Sequence, residues 1–109
     1  MFTNIARKAV LAAVGLTLIA PAPALANWRT NHPRRAEVNA RLHNLDRRVG
    51  QERREGDLTN AQARYLRHED RSIRQEERDM ARYDNGHITK AEKHVLNQQE
   101  NALSRQIPN

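Results

Sequence analysis

The 109-residue sequence has no cysteine, so neither a disulfide scaffold nor a thiolate zinc or iron-sulfur centre is open to it. Aromatic residues make up 4% and hydrophobic residues 38%, against 19 Lys plus Arg and 13 Asp plus Glu. That composition describes a small, basic, polar chain, and its length excludes a multidomain protein. No apolar run reaches the roughly 20 residues that cross a bilayer; the longest, Ala9 to Ala20, has about 12. Nucleophile elbows and the H-E-x-x-H spacing are absent as well.

The first 26 residues differ in kind from the rest. Arg7 and Lys8 form a positive start, Ala9 to Ala20 an apolar stretch, and Pro21 to Pro23 a breaker before Ala24-Leu25-Ala26. This order reads as a secretory signal peptide with an A-x-A cleavage site. Residues 1–26 are therefore expected to be removed and residues 27–109 to form one soluble domain in a bacterial periplasm, without a transmembrane segment.

The remaining segment is basic mainly at its N-terminal end. Asn27 to Arg54 holds eight Arg against three acids, whereas Glu55 to Asn109 holds nine basic and ten acidic residues. Only Lys90 and Lys93 of its basic residues are lysine. Arginine presents a planar fork suited to carboxylates and phosphates.

Apolar spacing predicts an all-α fold with three amphipathic helices. Val38, Leu42, Leu45 and Val49 follow steps of four, three and four, with Pro33 at a first turn, Asn31 or His32 as its cap, and Gly56 past the end. This places helices at about 33–54, 60–84 and 90–107, the second on Leu66, Ile73, Met80 and Tyr83, the third on Ile88, Leu96, Leu103 and Ile107. Gly50 weakens the first. Nothing alternates like a strand.

An internal repeat marks the joints, since Gly56 to Gln62 (GDLTNAQ) recurs thirty residues later as Gly86 to Glu92 (GHITKAE). Each copy reads as a helix-turn-helix joint. Gly56 or Gly86 takes a left-handed position, Leu58 or Ile88 packs as a staple, and Thr59 or Thr89 caps the next helix. Gln62 or Glu92 completes a capping box.

The stripes are thin, with Glu69 and Glu76 lying between the apolar positions of the second helix. A small core supplies little net stability. The expectation is an extended helical hairpin arrangement that forms a homodimer, laced outside by pairs such as Glu37 with Arg41, Arg48 with Glu52 and Asp70 with Arg74.

The string Leu58-Thr59-Asn60-Ala61-Gln62 resembles the LTxxQ motif of the periplasmic Spy and CpxP chaperone family, and Ile88 to Glu92 looks like a second copy ending in Glu rather than Gln. The resemblance implies an all-helical, cradle-shaped homodimer that holds unfolded envelope proteins on a basic, partly apolar surface without ATP. Gly86-x-Ile88-Thr89-x-x-Glu92 is also similar to the back half of an EF-hand calcium loop. Calcium there needs oxygen ligands at loop positions 1, 3 and 5. Those positions hold Ala81, Tyr83 and Asn85 before Gly86, and Gln51, Arg53 and Glu55 before Gly56, so no metal set is expected at either loop.

His32, His43, His68, His87 and His94 are scattered, and an N-terminal copper or nickel site would want His where Arg29 stands. Ser72 and Ser104 sit mid-helix, and the pairs Glu69-Asp70 and Glu76-Glu77 point to different sides of a helix. No catalytic residue, cofactor or metal site is expected. The candidate contact residues for clients or polyanions are Arg34, Arg35, Arg41, Arg47, Arg48, Arg53, Arg54 and Trp28. Export argues against nucleic acid as partner. The leading functional expectation is an ATP-independent periplasmic stress chaperone or adaptor for envelope proteins. The alternative is a metal-binding or metal-sensing envelope protein, and the third is a binder of anionic envelope polymers.

Overall fold

The structure is a computed structural model that describes residues 21–109, with side chains from residue 26 onward. The positive start and apolar run of the expected signal peptide lie outside the described residues. The chain divides into two units, residues 1–31 and 32–109. In the first, α1 (Pro21–Asn31) runs through the Ala26–Asn27 bond where cleavage is expected, and Thr30 Oγ1 donates to the Ala26 carbonyl at 3.0 Å. No described helix is long and apolar enough to cross a membrane.

The second unit holds α2 (Pro33–Arg54), α3 (Asn60–Arg82) and α4 (Lys90–Gln106), each touching both of the others. Among the described residues there is no strand. Pro33 opens α2 after His32, whose side chain makes no cap bond, so preset φ rather than a side-chain acceptor starts this helix. Val38, Leu42, Leu45 and Val49 form one wall of the core. Leu58, Ala63, Leu66, Ile73 and Ala81 form the second, and Ile88, Leu96, Leu103 and Ile107 the third. Met80 packs half-buried against this cluster, whereas Tyr83 is 88% exposed beyond the end of α3.

Both joints are built as the repeat implies, with one difference. At the first, the Asp57 N–H donates to the Glu52 carbonyl at 2.8 Å and the Gly56 N–H to that of Arg53 at 3.1 Å. These two bonds make a Schellman closure around Gly56, at φ +87°. At the second, the corresponding long bond runs from Gly86 to Ala81, one residue early, and both Asn85 (φ 51°) and Gly86 (φ 89°) are left-handed. Thr59 and Thr89 then cap α3 and α4 in complete capping boxes.

The interior of α3 differs from the expected stripe. Glu69 and Glu76 are half-buried on its flank, and the positions between Leu66, Ile73 and Ala81 belong to Asp70 and Glu77. Glu52 and Glu100 are buried too. A seven-residue walk along α3 steps over the intervening i+4 positions, and those are where Asp70 and Glu77 stand.

Candidate binding surface

Buried carboxylates require cations, because an ionised group away from water costs several kcal/mol unless paired. Arg35 supplies one, donating to Glu77 from Nε and Nη2 and to the Gly86 carbonyl from Nη1 at 3.1 Å. Arg41 lies 3.8 Å from Glu100 and donates to Asn101 Oδ1 at 2.6 Å. Arg48 donates to Ser104 Oγ at 2.9 Å and toward the Ile107 carbonyl at 3.4 Å. Arg34 reaches the Ile88 carbonyl at 3.2 Å. Arg34, Arg41 and Arg48 are seven apart, hence on one face of α2, and they tie that face to α4 and to Ile88 and Ile107 that flank it.

These contacts sort the expected binding residues. Arg35, Arg41 and Arg48 are half-buried clamps, and Arg34 is an exposed one. Arg47 bonds Asn44, Arg53 reaches Asn60 Oδ1 at 3.4 Å, and Arg54 is exposed. At about 100° per residue, Arg34, Arg47, Arg53 and Arg54 point to several sides of α2 rather than one. Trp28 is half-buried on α1, in the other unit. Of the expected outer pairs, Asp70 with Arg74 forms at 3.0 Å, while Glu37 pairs with Lys93 of α4 and Glu52 forms no ion pair among the described residues.

The motif residues at both joints act on their own helices. Thr59 Oγ1 accepts from the Gln62 N–H at 3.0 Å, and Gln62 Oε1 accepts from the Thr59 N–H at 2.8 Å. Thr89 and Glu92 repeat this at 3.1 and 2.9 Å. Beside the first box, Leu58, Ala61, Gln62, Tyr65, Leu66 and Gln106 line an open groove of about 370 Å³, with Tyr65 55% exposed. At the second joint His87 stacks on His32, ring centroids 4.7 Å apart, rather than turning toward His94.

The most extended cationic feature lies on α3, where sequence counting found charge balance. Arg64, Arg67, Arg71, Arg74, Arg78 and Arg82 follow steps of three, four, three, four and four. They occupy an arc only about 80° wide at 100° per residue. Arg67 pairs with Asp46 at 3.3 Å, Arg74 with Asp70 at 3.0 Å and Arg82 with Asp79 at 3.4 Å. Arg64, Arg71 and Arg78 are exposed and enter no ion pair among the described residues. A hollow of about 480 Å³ opens along this row, lined by Asp46, Asp70, Arg71, Arg74, Gln75 and Arg78. The 3-4 spacing was present in the sequence, but the acids that mask it were counted as neighbours before the fold turned two of them inward.

Those inward acids are electrostatically strained. Burial pushes the Glu100 carboxyl up to about 7; Arg41 opposes the shift and Asp70 adds to it. Both Glu100 oxygens lack a hydrogen-bond partner. Asp70 is also raised by burial, against the hydrogen bond and charge of Arg74. Glu52 is raised by burial first, then by Asp57 and Glu55.

Neither a family model, nor a curated protein, nor a solved structure matches this chain.

Proposed function

We propose that this chain is an exported helical binding protein, an ATP-independent chaperone or adaptor that holds acidic, partly apolar segments of envelope proteins. The observation that carries the reading is the arginine row of α3, with Arg71 and Arg78 exposed along an open hollow. Guanidinium forks on a rigid helix can each take a carboxylate bidentately, and a row of them suits an extended acidic segment more than a small anion. The groove at Leu58, Ala61 and Tyr65 adds apolar area for the same kind of client. The LTxxQ resemblance points the same way, although Thr59 and Gln62 are engaged with each other in the cap. Export rests on the tripartite start of the sequence.

The proposal includes a homodimer. Among the described residues four buried acids reduce what a thirteen-residue apolar core can contribute, and a second copy would add buried area.

Aggregation of a denatured client, followed by light scattering with the chain at equimolar ratio, tests the reading. Replacing Arg71 and Arg78 by Gln is expected to weaken protection several-fold and to remove most of its salt sensitivity, since exposed charges are screened over about 8 Å at physiological ionic strength. Replacing Arg47 and Arg53 is expected to do much less. Protection unchanged by the first pair would overturn the proposal. Retention on phosphate-rich lipopolysaccharide without any client protection would favour the polyanion reading instead.

A further inference from the structure

The Schellman closure that ends α2 does more than stop a helix. Its long bond, Asp57 N–H to Glu52 carbonyl, folds the chain back so that residues 52, 55 and 57 share one side of the joint. One carboxylate oxygen from each of Glu52, Glu55 and Asp57 lies within 4.8 Å of the other two. We propose that this cluster is a binding site for a hard divalent cation, calcium by its chemistry, ligated by Glu52, Glu55 and Asp57.

An acidic cluster on a surface is ordinary; the state of Glu52 is not. This residue is only 8% exposed, and its Oε1 has no hydrogen-bond donor. The Asp57 carboxyl stands within hydrogen-bonding reach of the Glu52 carboxyl, so two acceptors face each other. Such a pair needs either a shared proton or a cation between its oxygens. Arg48 opposes the charge of Glu52 only from a distance. Among the described residues none of the three carboxylates is in an ion pair, and Arg48 spends its donors on Ser104 and Ile107. Glu55 Oε2 accepts from Gln51 Nε2 at 3.1 Å, a neutral bond that leaves its charge uncompensated.

The donor set selects the ion. It contains only oxygen, with no His and no Cys, which favours calcium or magnesium over zinc, copper or nickel. Two ligands on opposite sides of one calcium ion stand up to about 5 Å apart, twice the metal–oxygen distance of about 2.3–2.6 Å, and the cluster falls inside that limit. Glu55 and Asp57 are exposed, so water can complete the variable shell of six to eight ligands that calcium tolerates. The C-terminus of α2 also presents carbonyl dipoles that favour a positive charge. Three protein carboxylates and several waters imply a dissociation constant of about 10⁻⁴ to 10⁻³ M.

The repeat provides an internal contrast. Thirty residues on, the equivalent positions hold Arg82, Asn85 and His87, so the second joint cannot form the same site. The proposal is independent of the arginine row on α3.

Calcium chloride titrated into the purified chain, read by calorimetry and by thermal unfolding, tests it. The expected result is one saturable site and a Tm rise of about 5 °C or more at tenfold excess over the dissociation constant. Sodium chloride at matched ionic strength should give no such rise, and magnesium should require at least tenfold more. Asp57→Asn and Glu55→Gln change exposed side chains and should leave helical content intact while weakening calcium binding tenfold or more. Glu69→Gln should leave binding unchanged. Absence of saturable binding up to 10 mM, equal binding by the joint variants, or a preference for magnesium would each overturn the assignment. So would a metal-free gain in stability on Asp57→Asn where the unsubstituted chain shows no calcium response, the signature of a shared proton.

Discussion

Glu100 shows how one side chain makes a stability curve depend on pH. It is 0% exposed, neither oxygen is hydrogen-bonded, and Arg41 stands 3.8 Å away. Burial raises its pKa from 4.5 to about 7 in the folded chain. Between those values the folded state binds more protons than the unfolded one, so stability falls as pH rises. The favourable contribution is complete below about pH 4.5 and lost as pH passes 7. Glu100→Gln keeps the shape without the charge. It is expected to stabilise the protein at pH 8 by about 1–2 kcal/mol, allowing for solvent screening, and to have little effect at pH 5. Urea melts at the two pH values measure this, and an equal effect at both would show that Arg41 neutralises Glu100 fully.

At the scale of the element, the two capping boxes make the repeat a matter of helix initiation. Thr59 and Thr89 each accept one N–H of the helix they open, and Gln62 and Glu92 return the bond. Thr59→Ala and Thr89→Ala are each expected to cost about 0.5–2 kcal/mol by chemical denaturation. The two effects should add, because the caps share no partner. If Thr59→Ala is silent in stability but abolishes client protection, the LTxxQ string is a contact site rather than a cap. Gly50 also makes sense within its element. The Arg67 guanidinium lies over it, 2.8 Å from where a Cβ would stand, so the weak helix former sits where α3 sends a side chain across to Asp46.

For the whole molecule, three helices that each touch the other two give a core made within one copy. A homodimer is still proposed, on the ground that this core carries four acids. Sedimentation equilibrium is expected to show a reversible dimer. A concentration-independent monomer that melts cooperatively would remove the dimer from the proposal and leave the arginine row to act alone.

How much of this was legible in the sequence follows from which forces are local. Helix limits are set by residues touching their own neighbours. Pro33, the two glycines at the joints and the Thr59 and Thr89 boxes therefore placed the three helices almost to the residue, α3 and α4 ending slightly sooner than expected. The apolar stripe of α2 was legible for the same reason, since its period of 3.6 is a property of one helix. What periodicity cannot tell is which polar residue shares the buried face, because that depends on what the other elements pack against it. Arg35 meets Glu77 across forty-two residues and Arg41 meets Glu100 across fifty-nine. Those pairings engage Arg35 and Arg41 within the fold, while Arg34, Arg47, Arg53 and Arg54 stay exposed. They also withdrew acids from the surface and left the arginines of α3 exposed beside them. The cluster at Glu52, Glu55 and Asp57 escaped sequence reading likewise, because ligand counting assumed a calcium loop whereas a helix C-cap brought the three carboxylates together. Local capping chemistry and helical periodicity were written in the sequence; the distribution of charge between interior and surface was decided by tertiary contacts, since burial is a property of the whole fold.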